Sequence, residues 1–68
     1  MEVLGLRSRR LEAVLTQEEL GRRAGVAEGT IVSAEKGKKV RISTVQKLAA
    51  ALGVSPQELI TGTKGDES

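Results

Sequence analysis

None of the 68 residues is aromatic. Whatever this chain packs inside must therefore be aliphatic, and its large apolar residues are eight Leu, seven Val and three Ile, helped by seven Ala. A chain of this length is a single small domain, and such domains bury only about 60% of the surface that their unfolded chains expose. Small side chains in a small core favour contacts made over short sequence distances. Short helices supply those contacts and a deep enclosed cleft does not.

The same inventory removes whole classes of function. There is no His and no Cys, so the commonest general acids, bases, nucleophiles and zinc ligands are missing and catalysis and metal binding are not expected. No disulfide framework is possible, which fits a reducing compartment. Aromatic stacking platforms for single-stranded RNA or DNA are excluded as well. No apolar run approaches the ~20 residues of a membrane span, and the N-terminus lacks the basic-then-apolar layout of a secretory leader. The expectation is a cytoplasmic protein that works without membrane or cofactor.

Along the chain, helix signals recur at short intervals. Val3, Leu4, Leu6, Leu11, Val14 and Leu15 repeat mainly at steps of three, four and seven, predicting a first helix across Val3 to Leu15, interrupted by the basic cluster Arg7, Arg9 and Arg10. Thr16-Gln17-Glu18-Glu19 is a capping box: the Thr16 hydroxyl can accept from the backbone N–H three residues on, and Glu19 can reach back. It starts a second helix from about Gln17 to Ala24, stopped by Gly25. After only Gly25-Val26-Ala27 a third helix is expected from about Glu28 to Lys36, so that two short helices meet at a three-residue turn containing Gly, the layout of a helix-turn-helix.

Gly37 ends the third helix, and Lys36, Lys38, Lys39 and Arg41 then place four positive charges and no acid within six residues. Val45, Leu48, Ala49 and Leu52 predict a fourth helix closed by Gly53. Ser55-Pro56-Gln57-Glu58 reads as a second capping box, with Pro at the first helical position, opening a fifth helix through Leu59 and Ile60. The division expected is a domain over residues 1–61 and a flexible polar tail over residues 62–68. The charge excess lies in the part that carries the helix-turn-helix: the net +2 arises from nine bases and six acids in residues 1–41 against two bases and three acids in residues 42–68.

Leu6-Arg7 with Arg10, Leu15-Thr16-Gln17-Glu18-Glu19-Leu20, Gly25-Val26, Thr30-Ile31, Glu35, Gly37 and Leu48-Ala49 with Leu52-Gly53-Val54-Ser55 occur in this order and at these spacings. Together they resemble the Cro and phage-repressor type of helix-turn-helix domain, the XRE family, over roughly Leu6 to Leu59. The resemblance implies an all-α fold of five short helices of the lambda-repressor kind. It also implies sequence-specific binding of double-stranded DNA by a transcriptional regulator, a repressor, with the third helix in the major groove.

A helix in that position needs apolar residues holding its inner side and small or polar residues at its outer N-terminal end. Ile31 and Ala34 can pack against Leu20 and Ala24, which leaves Glu28, Gly29 and Ser33 on the opposite side and Val32 near the edge. By resemblance, Glu28, Gly29 and Ser33 would face base edges, with Ala27 and Thr30 close by. Gln17, at the start of the second helix, would receive a phosphate, and Lys36, Lys38, Lys39, Arg41 and Arg10 would contact the backbone. Arg10 and Glu35 match a pair that forms an internal salt bridge in the family. The chain departs from the family pattern at Ala27, which offers no capping oxygen, at the small Gly21 and Ala34, at Val14 where Gly is frequent, and at Val40 where Pro is frequent.

Val54, Leu59 and Ile60 cluster after the fourth helix; they either close the core or serve as contacts of a homodimer on a pseudo-palindromic operator. A rival reading keeps the fold and changes the partner. An antitoxin or adaptor would bind a toxin or the transcription machinery, and the acidic Glu28 and bare Gly29 on the reading face favour it.

Overall fold

The computed structural model describes residues 1–62 and holds five helices: α1 Leu6–Glu12, α2 Gln17–Ala24, α3 Glu28–Glu35, α4 Ile42–Leu52 and α5 Pro56–Thr61. No strand occurs among the described residues. Most of the tail expected over residues 62–68 lies outside them. α2 packs against both α3 and α4, α5 lies on α4, and α1 bridges α3 and α5. Ten residues contributed by every helix and by the loops around α1 form one core: Val3, Leu6, Leu15, Leu20, Ile31, Ala34, Val45, Leu48, Ala49 and Leu59.

Local chemistry sets most of the helix ends. At α2 both halves of the capping box form: the Glu19 amide donates to the Thr16 hydroxyl at 3.0 Å and the Thr16 amide donates to the Glu19 carboxylate at 2.9 Å. These contacts hold the Glu19 carboxyl below the usual carboxylate range. At α5 only half of the expected box forms. The Glu58 amide donates to the Ser55 hydroxyl at 3.3 Å, while the Glu58 carboxylate lies 3.9 Å from the guanidinium of Arg9 on α1. A tertiary ion pair thus competes with the local reach-back. Ala27 caps α3 without any side-chain hydrogen bond, as a residue lacking an oxygen must.

The first helix is shorter than its apolar spacing predicts. Val3 is buried, but ahead of the helix, in a non-helical start and turn tied down by the Leu6 amide donating to the Val3 carbonyl at 3.1 Å and by the Val40 amide donating to the Met1 carbonyl at 2.7 Å. The helix also stops before Leu15. The Leu15 amide donates to the Arg10 carbonyl at 3.2 Å and the Val14 amide to the Leu11 carbonyl at 3.0 Å, a Schellman ending that puts Val14 in the left-handed region at φ +57°. Val14 is the one residue other than glycine with positive φ among the described residues. α4, in turn, begins a turn earlier than expected, at Ile42.

The turn between α2 and α3 explains a second departure from the family pattern. A Cβ on Gly21 would stand 2.6 Å from the Val26 carbonyl oxygen, so the turn passes where a side chain would otherwise be. Gly25 turns the chain at φ +70°, and the Val26 amide then donates to the Gly21 carbonyl at 2.9 Å.

Candidate nucleic-acid interface

α3 is anchored by one side and bare on the other. Ile31 and Ala34 are buried in the core, while Ala27, Glu28 and Gly29 are exposed and Thr30, Val32 and Ser33 are half-buried. The five positions the sequence places near bases therefore sit together at the N-terminal end and outer side of one short helix. Lys36, Lys38, Lys39 and Arg41 follow it directly, all exposed. The loop that carries them is braced by the Lys38 amide donating to the Ser33 carbonyl at 3.1 Å and by the pairing of Val40 with Met1. Val40 donates its amide there, which a proline in its place could not do.

Two grooves flank this helix. One, of about 730 Å³, is lined by Arg7, Arg10, Gln17, Glu35 and Lys36 together with the apolar Leu11, Val14, Leu15 and Val32. The other, of about 460 Å³, is lined by Thr30, Lys39, Val40, Arg41 and Thr44. On α3, Val32 borders the first groove and Thr30 the second, so each groove lies along a different edge of the outer face. Each carries two or more cationic side chains. Arg7 enters the site here; the sequence offered it only as part of the basic cluster near the start of the chain.

The floor of the larger groove is a polar network. The Arg10 guanidinium donates through Nε to Glu35 Oε2 at 2.6 Å and through Nη2 to Glu35 Oε1 at 3.1 Å, a bidentate pair. Its Nη1 donates to the Leu15 carbonyl at 2.9 Å. Gln17 completes the network by donating from Nε2 to Glu35 Oε1 at 3.0 Å. The Arg10 and Glu35 side chains are only 10% and 6% exposed. Burial pushes the Glu35 carboxyl up, but the donors Arg10 and Gln17 and the charges of Arg10 and Arg7 outweigh it and hold the group below its usual range. The Glu35 hydrogen bond likewise raises Arg10 above its ordinary value, against burial.

This network reassigns some of the site. Arg10, which the sequence also offered as a phosphate contact, is turned inward, with three of its N–H groups committed to Glu35 and Leu15; it joins α1 to α3 and to the start of α2. Gln17 commits one amide N–H to Glu35 and keeps the other, so it stands at the entrance to α2 with a donor still to place. Leu59, offered as a dimer contact, is fully buried in the core and belongs to no surface. Val54 and Ile60 are half-buried and pack against that core.

The remaining chemistry is sparse. Among the described residues no His, Cys, Asp or Glu cluster is placed to hold a metal, and no helix is long and apolar enough to cross a membrane.

Comparison with known proteins gives a consistent picture. Residues 6–59 match a family model described as helix-turn-helix. The chain is 44% identical over 55 residues to the uncharacterized HTH-type transcriptional regulator y4dJ of Sinorhizobium fredii, covering 79% of this chain and 71% of that protein. Among solved structures it is similar to the restriction-modification controller protein C.AhdI of Aeromonas hydrophila, with a TM-score of 0.76 and 34% identity over 79% of this chain and 83% of that one. It is also similar to a hypothetical transcription factor, NHTF, of Neisseria, with a TM-score of 0.76 and 32% identity over 82% of this chain and 66% of the other.

Proposed function

The chain belongs to the helix-turn-helix family, whose members are non-enzymatic regulators that bind double-stranded DNA, and from that premise we propose that it is a cytoplasmic repressor that reads its operator with α3 in the major groove. The observation that carries this reading is the pair of cation-bearing grooves, one along each edge of the outer face of α3. A helix seated in a groove about 12 Å wide has a phosphate backbone on either side. Arg7, Gln17 and Lys36 would meet one backbone, and Lys39 and Arg41 the other, with Lys38 between them on the loop. These contacts supply affinity and fix register, while Ser33, Glu28 and the small Ala27, Gly29 and Thr30 face the bases. A Ser hydroxyl serves either donors or acceptors, and Glu28 suits the amino group of cytosine.

Two copies would bind a pseudo-palindromic operator as a homodimer, using Val54 and Ile60 as part of the contact. The two-fold axis of such a dimer sets the symmetry of the site.

The test is selection from random duplexes followed by an anisotropy titration with the selected sequence, run across salt concentrations alongside a sizing measurement. A preferred sequence whose affinity falls with salt supports the reading; no preferred sequence, or affinity indifferent to salt, overturns it. Lys38→Ala should weaken all duplexes alike and lower the salt slope by about 1, whereas Ser33→Ala should change the preferred base at one position. Identical behaviour of the two variants overturns the division of roles.

A further inference from the structure

We propose that Val32 is a base-reading residue, and that what it reads is the C5-methyl group of a pyrimidine in the major groove. This rests on α3 being the groove helix, and it adds to the reading face an apolar contact beside the polar ones.

The argument starts from the angular placement of residues on α3. Successive residues of an α-helix are rotated by about 100°, so the directions of Ile31 and Ala34, both buried, define the inward side. Gly29 and Lys36 then point almost directly away from the core. Val32 and Ser33 lie to either side of that outward line, each about 130° from the inward direction, and both are half-buried. Val32 therefore stands on the outer face as Ser33 does, at the edge where that face meets the larger groove. Glu28 and Thr30 fall nearer the rims.

Gly29 gives the arrangement its use. A Cβ built there meets nothing within 4 Å, so the centre of the outer face is bare backbone with open space above it. Base edges can come closer to the helix at that point than any side chain would allow. One turn further along, Val32 and Ser33 stand as the two shoulders of the notch, the first offering two methyl groups and the second a hydroxyl. The major groove presents two kinds of feature to such a surface: donors and acceptors, and the methyl group of thymine, which is contacted by apolar side chains. Val32 has no polar atom to offer and can serve only the second. Leaving it half-exposed in free protein also means that covering it with a methyl removes apolar surface from water on both partners.

The chemistry is shared by two sources, thymine and 5-methylcytosine, and the experiment separates them. Starting from the selected duplex, each thymine is replaced in turn by deoxyuridine, which deletes the methyl and nothing else, and affinity is measured by anisotropy for the wild type and for Val32→Ala. Alanine favours the helix at least as well as valine, and far-UV circular dichroism checks that the variant is folded. At one position per half-site, deoxyuridine should weaken the wild type about fourfold, the value of one buried methyl-sized group. Val32→Ala should bind the two duplexes within a factor of about 1.5 of each other. Cytosine and 5-methylcytosine at that same position give the second arm: a methyl preference of the wild type there, lost in Val32→Ala, shows that the methyl is read whichever base bears it, while a preference confined to thymine assigns the site to thymine alone. The proposal is overturned if every deoxyuridine duplex binds the wild type like its parent, or if Val32→Ala keeps the methyl preference. A preferred duplex indifferent to its methyl groups overturns this proposal and leaves the DNA-binding reading standing; failure to select any duplex overturns both.

Discussion

Replacing Val14 by glycine should stabilise the protein, although it removes an apolar side chain. Val14 occupies the left-handed position of the Schellman ending of α1 at φ +57°, where its Cβ crowds the following carbonyl, a conformation that costs an L-residue about 1–2 kcal/mol. Its side chain is 86% exposed, so almost no packing is lost on removing it. Against the relief of strain stands the greater freedom of glycine in the unfolded chain, about 0.4–1 kcal/mol. The balance is a gain of about 1 kcal/mol, which in a domain of this size raises the thermal midpoint by roughly 4–8 °C. Urea titrations followed by far-UV circular dichroism measure it, since a chain without aromatic residues offers no intrinsic fluorescence. The midpoint should rise with the slope unchanged. Val14→Asn should fall between the two, because asparagine tolerates this region better than a β-branched residue. A glycine variant no more stable than the wild type would refute the reasoning, for it would mean that the left-handed turn carries no strain to release.

Three further outcomes follow from the buried network and the helix ends. Glu35→Gln should cost about 3 kcal/mol near neutral pH by leaving the Arg10 charge without its buried partner. Because the folded carboxyl titrates below its unfolded value, its stabilisation is complete above the ordinary Glu range near 4.3 and fades as pH falls through the folded value; urea titrations over a pH series should show the two proteins converging in acid, and parallel curves would sink the assignment. Ala27→Ser should add about 1 kcal/mol by giving α3 the capping oxygen it lacks, read as a higher urea midpoint. Leu59→Ala should cost roughly 2–5 kcal/mol at every protein concentration; a loss that appears only on dilution would return Leu59 to a dimer surface.

The parts of the fold that were legible in the sequence are those fixed within one helical turn. Thr16 with Glu19, Gly25, Gly53 and Ser55 with Pro56 announce their helix ends because a cap or a left-handed stop is local chemistry. The start of α1 was illegible for the opposite reason. Val3 and Leu4 continue a helical spacing, yet Met1 is paired with Val40 and the chain then enters α1 through a turn in which the Leu6 amide donates to the Val3 carbonyl. The end of α1 is different: the valine itself does not mark a left-handed turn, and the signal lies in the resemblance, where Gly is frequent at the position of Val14. At the site, the outer face of α3 and its basic loop could be read from spacing and charge. The Arg10–Glu35 pair could be read as well, from the resemblance, as an internal salt bridge. The share of Glu35 taken by Gln17 and the place of Arg7 in the same groove as Lys36 could not, because they depend on how α1 and α2 sit against α3. Leu59 shows the limit of counting apolar residues: Val54, Leu59 and Ile60 look alike in sequence, and only the packing of α5 on α4 and α1 decides which one is swallowed.

The Gly5 amide donates to the Leu59 carbonyl at 2.8 Å, and a Cβ at Gly5 would lie 2.7 Å from the Glu58 carbonyl oxygen. The beginning of the chain is thereby fastened to its last described helix, through a contact that closes a loop containing every other element. Such a closure is entropically the most demanding in the molecule and has little reward until the intervening helices are in place. Folding should therefore reach it last. The Gly5 amide, though it sits where ends ordinarily fray, should be protected from hydrogen exchange, opening when the start of the chain parts from α5 and sooner than the amides at the centres of α2 and α4.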